Sequence, residues 1–171
     1  MKKLFAFILI LLSISSLLAC GQKNADDPIT KVAPGMSFEQ AMEAEPTLTE
    51  YEGKGYSCSK TFADAEGTLL VSLSPLDENK MVFGILWQID PTDGKGKDVY
   101  DALFSGLRAT YGKPALSRDE KDVASVTGTY DAAQAQWQLK EYSVSCTYIE
   151  YHESGMCQIQ YKRSKTADSI F

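Results

Sequence analysis

The chain has 171 residues, a formal net charge of −6 and four cysteines. This length suits one domain with its own core, and the acidic balance disfavours nucleic acid and bare anionic lipid as partners. His152 is the single histidine and no Cys-x-x-Cys pair occurs, so the ligands for a zinc or iron centre are missing. We therefore expect no metal and no other cofactor.

The first nineteen residues have the features of a secretory signal peptide. Lys2 and Lys3 precede an unbroken apolar run from Leu4 to Leu12, and small residues then lead to Ala19. This order is typical of a cleaved signal, and the run is shorter than the ~20 residues that a membrane-spanning helix needs. Residues 1–19 are therefore predicted to be removed from the mature protein.

The tetrad Leu17-Leu18-Ala19-Cys20 resembles the lipobox of bacterial lipoproteins. The resemblance implies that the thiol of Cys20 receives a diacylglyceryl group, that the chain is cut before this residue, and that the new amino group is acylated. Two or more acyl chains make a stable membrane anchor. The next residue is Gly21 and not aspartate, which by the family rule implies the periplasmic face of the outer membrane of a Gram-negative cell. The alternative is an ordinary cleaved signal with an incidental cysteine.

Residues 20–35 are predicted to be the lipidated cysteine and a flexible tether. The stretch GQKNADDPITKVAPG is polar, holds two prolines and has no helix or strand periodicity. As a flexible coil it would separate the anchor from the domain by roughly 20 Å. The domain itself is expected over residues 36–163, followed by a C-terminal tail at 164–171.

Two helices are predicted. Ser37 and Gln40 have the spacing of a capping box at the start of the first helix, and Pro46 ends it. Asp98 is expected to cap the second helix, and Gly112 to end it. The second helix has a buried stripe at every fourth position, formed by Val99, Leu103, Leu107 and Tyr111.

Strand patterns fill the regions after each helix. After the first helix, alternate apolar residues predict one buried face, formed by Met81, Phe83, Ile85, Trp87 and Ile89. The clearest hairpin joins YSVSCTYIEY to MCQIQYKR around residues 152–155. In this hairpin the parity of the residues places Cys146 and Cys157 on the same face, near each other but not directly opposite.

The cysteines that remain after lipidation are Cys58, Cys146 and Cys157. An oxidising compartment permits one disulfide among them and leaves one thiol. Because the two hairpin cysteines are offset, Cys58 competes for either of them. The favoured expectation is a disulfide between Cys58 and one of the hairpin cysteines.

The order helix, strands, helix, strands predicts an α+β fold, with one antiparallel sheet and two helices on one face. Two helix-plus-strands repeats are expected, over roughly 36–91 and 97–163. The arrangement resembles the fold shared by small outer-membrane assembly lipoproteins and β-lactamase-inhibitor proteins, on the stretch GMSFEQAM and the helix ending YGKP. The resemblance implies a fold, and a fold does not transfer function.

Motifs for catalysis are missing from the sequence. The stretch Gly55-Tyr56-Ser57-Cys58-Ser59 lacks the closing glycine of a nucleophile elbow, and GKGKD lacks the remainder of a phosphate-binding loop. His152 falls on a predicted hairpin tip, where supporting side chains are few. The protein is therefore predicted not to be an enzyme.

The favoured hypothesis is a protein-binding module of the assembly, inhibitor or immunity type that contacts another envelope protein. Its partner surface is predicted near the tip of the last hairpin, where apolar and aromatic side chains cluster as interfaces favour. The predicted partner-surface residues are Ile149, Tyr151, His152 and Met156. The alternative function is a small-ligand or lipid carrier with a pocket between sheet and helices.

Overall fold

The computed structural model of the protein describes residues 26–53, 55–74, 80–89, 96–125, 128–151 and 154–163. The predicted signal peptide, the predicted lipidation site Cys20 and the predicted tail at 164–171 lie outside the described residues. Among the helices that are described, none is long and apolar enough to cross a bilayer.

Within the described residues, eight strands form one antiparallel sheet accompanied by two helices. The helices are α1 (Phe38–Ala44) and α2 (Gly96–Tyr111). The strands are β1 (Thr49–Tyr51), β2 (Gly55–Phe62), β3 (Ala65–Leu73), β4 (Val82–Ile89), β5 (Leu116–Ser125), β6 (Gly128–Gln138), β7 (Tyr142–Tyr151) and β8 (Ser154–Arg163). Their spatial order is β1-β2-β3-β4-β8-β7-β6-β5. The predicted α+β class with an antiparallel sheet is confirmed.

Both helices pack on the same face of the sheet. Phe38 of α1 contacts Tyr56 of β2 with ring centroids 4.5 Å apart. On α2, Phe104 lies 6.0 Å from the ring of Trp137. The strand residues of this face form the core, and its largest fully buried strand side chains are Trp87, Trp137, Tyr161, Leu69, Ile85, Ile89, Ile159, Val82 and Val144. Burial of this apolar surface is the main stabilising contribution to the fold.

Capping explains where α1 begins. The backbone N–H of Gln40 donates to the hydroxyl of Ser37 at 3.3 Å, and the backbone N–H of Ser37 donates to the Gln40 side chain at 2.9 Å. The two bonds satisfy backbone donors that the first turn leaves free. The predicted capping box is confirmed.

Helix α2 runs along the sheet with the predicted stripe against the core. Its start differs from the prediction, because the helix begins at Gly96 and Asp98 therefore lies within the first turn, not at the cap. A Cβ on Gly96 would come within 2.9 Å of the Tyr148 ring and 3.1 Å of the Gly155 backbone, so glycine permits this close approach to the sheet. At the other end Gly112 has a φ of 78° and ends the helix, as predicted.

A β-bulge changes the predicted face of β4. The register between β3 and β4 shifts at the start of β4, and Phe83 is the extra residue. The shift leaves Val82 fully buried and Phe83 47% exposed. The predicted burial is therefore confirmed for Ile85, Trp87 and Ile89, whereas the predicted burial of Phe83 is wrong.

Residues 26–36 pack on the domain, and we call them the N-terminal strap. Ile29 is 6% exposed and Val32 is 2% exposed. Further along, the N–H of Gly35 donates to the carbonyl of Val82, and the N–H of Val82 donates to the carbonyl of Met36, both at 2.8 Å. This differs from the tether expected over residues 20–35, since residues 26–35 belong to the domain.

The carboxylate of Asp27 holds the strap in place. Its Oδ2 accepts from the hydroxyl of Tyr111 on α2 at 2.8 Å, and its Oδ1 accepts from the hydroxyl of Tyr161 on β8 at 2.7 Å. Oδ1 also accepts from the backbone N–H groups of Ile29 and Thr30. Hydrogen bonds to a charged acceptor are stronger than neutral ones, so one side chain joins strap, helix and sheet.

Replacing Asp27 by alanine is expected to lower the free energy of unfolding by about 3 kcal/mol, because two tyrosine hydroxyls lose their acceptor. Urea denaturation of the mature protein measures the change. The matched control is Asp26→Ala, since the Asp26 side chain is exposed and such changes stay within about 0.5 kcal/mol. Equal effects of the two substitutions would contradict the role given to the Asp27 carboxylate.

Tyr161 makes the stability of the protein sensitive to alkali. Burial, followed by the charge of Asp27, raises the pKa of the Tyr161 hydroxyl well above its usual value of 10.0. Because the pKa is higher in the folded than in the unfolded protein, this hydroxyl makes its full contribution to the free energy of unfolding below pH 10. The contribution is lost as the pH rises above 10. The urea midpoint is therefore expected to fall as the pH is raised above 10.0. The fall should be smaller in Tyr161→Phe, although that variant starts from a lower stability; equal falls in both proteins would contradict the assignment.

Candidate functional site

The face of the sheet opposite the helices carries mainly uncharged polar side chains. One cross-strand row consists of Gln134, Thr147, Gln158, Gln88, Thr68 and Ser59. The adjacent row consists of Gln136, Ser145, Gln160, Leu86, Leu70 and Ser57. We call these two rows the polar face. Its side chains are half-buried or exposed.

Charge is nearly missing from the centre of this surface. On the described parts of β4, β6, β7 and β8, Lys162 is the one charged residue whose position falls on the polar-face side, and it lies at the end of β8. Other charged positions are peripheral, with Arg118 and Glu120 on the edge strand β5 and Glu66 on β3. The cores of protein interfaces are likewise depleted of charged residues, whereas a solvated sheet face commonly carries them.

Glutamine, serine and threonine give the polar face both donors and acceptors. A glutamine amide offers two N–H donors and one carbonyl acceptor, and a hydroxyl can act in either role. Leu70 and Leu86 are directly opposite each other within this surface and are half-buried. The arrangement can therefore hydrogen-bond a partner and exclude water around a small apolar centre.

The predicted partner-surface residues are partly brought together. Ile149 and Met156 pair directly across β7 and β8, on the same side of the sheet as the polar face, and both are half-buried. Tyr151 is a residue of β7 whose backbone pairs with Ser154. His152 lies outside the described residues. The polar face itself could not be recognised from the sequence, because alternate polar residues in a strand indicate only that one side is not core.

The hairpin that carries Ile149 and Met156 is longer than predicted. Pairing continues to Tyr151 opposite Ser154, so the turn is shorter than the expected stretch 152–155. The pairing register of β7 and β8 differs from the predicted one by two residues. Because this number is even, each side chain stays on its predicted face of the sheet. The prediction that Cys146 and Cys157 share a face without being opposite is confirmed.

Cys146 and Cys157 form a contact in the core. Cys146 pairs with Ile159 and Cys157 with Tyr148, which makes the two cysteines diagonal neighbours, and both are fully buried. The hydrogen bond with the Cys157 thiol, together with burial, raises the pKa of the Cys146 thiol. Both residues are free thiols in this structure.

Cys58 lies far from this pair. It is a residue of β2, and β3 and β4 separate it from β8. Three strand spacings correspond to about 14 Å, whereas a disulfide requires Cα atoms within about 7 Å. The expected disulfide between Cys58 and a hairpin cysteine does not fit this sheet, and Cys58 is also a free thiol.

Both edges of the sheet are poor templates for a further strand. Strand β1 has only three residues. Strand β5 has a register shift with Asp122 at a φ of 52°, and it holds a charged run, Arg118, Asp119, Glu120, Lys121 and Asp122. Short, bulged and charged edges resist strand addition. The edges of this sheet are therefore less suited than its exposed face to contact with another protein.

In comparisons with known proteins, no family model matches this sequence, and no curated protein or solved structure is significantly similar to it.

Proposed function

We propose that this protein is a lipoprotein of the outer membrane, facing the periplasm, whose domain binds another envelope protein without catalysing a reaction. The observation that supports the binding role most directly is the polar face, an uncharged sheet surface between two edges that resist strand addition. The lipobox ending in Cys20 supports the anchor.

A folded protein is the partner that fits the polar face. The face is broad, extending over six strands, and its amides and hydroxyls match the mixed donors and acceptors of a protein surface. The pairs Leu70–Leu86 and Ile149–Met156 add apolar contacts that a partner can desolvate. Membrane assembly, inhibition of an envelope enzyme and neutralisation of a toxin are the roles that such a protein-binding surface would suit.

We also propose that the domain consists of two related halves. In chain order each helix precedes four strands, and the last strands of the two sets, β4 and β8, are antiparallel neighbours at the centre of the sheet. This arrangement is expected when two similar units are related by a twofold axis. The polar face would then be a composite surface to which both halves contribute.

The alternative, a carrier with a pocket between sheet and helices, receives less support. The space between α2 and the sheet is filled by apolar side chains, and Leu103, Leu107 and Trp137 are at most 1% exposed. Aromatic contacts such as that of Tyr100 with Tyr148 continue the packing toward the start of α2. A ligand there would have to displace core side chains, which is costly in a close-packed interior.

The anchor is tested by the substitution Cys20→Ala. The variant is expected either to leave the membrane fraction or to remain as an uncut precursor, because neither lipid attachment nor the dependent cleavage can occur. Membrane fractionation and the intact mass of the protein measure both outcomes. Cys58→Ala is the matched control and should remain in the membrane fraction. Unchanged fractionation and mass of the Cys20 variant would refute the lipoprotein assignment.

The binding role is tested by cross-linking and affinity purification of the full lipoprotein from its own host. Gln158→Lys places a charge at the centre of the polar face, and we expect it to reduce recovery of a specific partner at least about tenfold, as a buried unpaired charge does. The control Ser105→Lys adds the same charge on the exposed side of α2. Equal recovery with both variants, after urea denaturation has shown both to be folded, would argue against this surface.

A further inference from the structure

In the half of the domain formed by α2 and β5–β8, the charges are divided between the two ends of the strands. One end is formed by the last residues of β6 and β8, the first residues of β5 and β7, and the C-terminus of α2. The basic residues of this end are Arg108, Lys113, Lys140, Lys162 and Arg163, and we call them the basic end. The acidic residues beside them are Asp26, Glu141 and Asp27, and the Asp27 carboxylate is already bonded to two tyrosines.

The opposite end of the same elements is acidic. It includes the start of α2, the second half of β5, the start of β6 and the end of β7. Its described acidic residues are Asp98, Asp101, Asp122, Asp131 and Glu150, against the basic residues Lys97 and Lys121. Within this half of the domain, basic residues therefore outnumber acidic ones at one end and acidic residues outnumber basic ones at the other.

The chain enters the domain at the basic end. Asp26 is the first described residue, and its carbonyl accepts from the hydroxyl of Thr110, near the C-terminus of α2. From Cys20 to Asp26 there are six residue steps, which cannot span more than about 20 Å in any conformation. The intervening stretch GQKNA contains one lysine and no acidic residue. A lipid on Cys20 thus keeps the basic end close to the bilayer.

We propose that the basic end docks on anionic phospholipid headgroups beside the lipid anchor, so that the acidic end points away from the membrane. The inference rests on the anchor of the proposed function and adds an orientation to it. Each lysine or arginine near an anionic surface contributes an attraction that decays over about a Debye length, ~8 Å at physiological salt. The acidic end, repelled by the same surface, favours the same orientation.

The orientation places the polar face to the side of the anchored domain. Strands β6 and β8 run between the basic end and the acidic end, so the two rows of the polar face lie between the membrane-facing end and the distal end. Neither end needs to move for a partner to reach the polar face. Docking on lipid and binding of a partner therefore use different surfaces.

The test is lysine footprinting of the lipidated mature protein in vesicles. An uncharged amine-reactive ester is added to the protein in vesicles of phosphatidylcholine alone and in vesicles that also contain phosphatidylglycerol. Mass spectrometry gives the modification rate of each lysine. We expect modification of Lys113 and Lys140 to slow about threefold or more relative to Lys97 and Lys121 when the anionic lipid is present. High salt should remove the difference.

Charge-reversal variants distinguish docking of the basic end from a general effect of the net charge of the protein. Lys140→Glu should weaken the protection of Lys113, whereas Lys121→Glu, the same change at the acidic end, should leave it intact. Equal relative rates on both vesicle types, or equal protection of all four lysines, would overturn the proposal. Failure of the anchor is observed separately, as failure of the protein to float with phosphatidylcholine vesicles, and it would overturn the orientation as well.

Discussion

The Asp27 carboxylate is the interaction on which the arrangement of this domain depends. It accepts hydroxyl groups from α2 and from β8, and backbone N–H groups from its own strap. The rest of the strap is held by the burial of Ile29 and Val32 and by backbone hydrogen bonds to Val82, and the Asp27 carboxylate adds the link to α2 and β8. The strap in turn determines at which end of the sheet the chain enters the domain. It therefore determines which end the short segment from Cys20 leads to.

Features governed by local periodicity could be predicted from the sequence. The capping box of Ser37 and Gln40, the stripe of α2 and the shared face of Cys146 and Cys157 depend on residues close in the chain. The α+β class follows from the order of these elements. In each case the repeat of 3.6 or 2 residues determines which side chains are buried, and no knowledge of distant contacts is needed.

Features governed by distant contacts could not be predicted. The strap has the polar, proline-containing sequence of a linker. Nothing in this sequence indicates that Asp27 accepts hydrogen bonds from two tyrosines more than eighty residues away. The bulge at Phe83 depends on pairing with β3, and the separation of Cys58 from the hairpin depends on strand order. The polar face becomes visible only when single polar residues of separate strands are aligned by their register.

Helix α2 is held at both of its ends, by the close contact of Gly96 with Gly155 at one and by Asp27 at the other. Sliding of the helix along the sheet would break one of these contacts, so the position of α2 on the sheet is fixed. Under the proposed function, a partner that docks on the opposite side would meet a sheet whose backing helix does not need to move. Such docking would lose little conformational entropy in this domain, because its association would not wait for a rearrangement of α2 on the sheet.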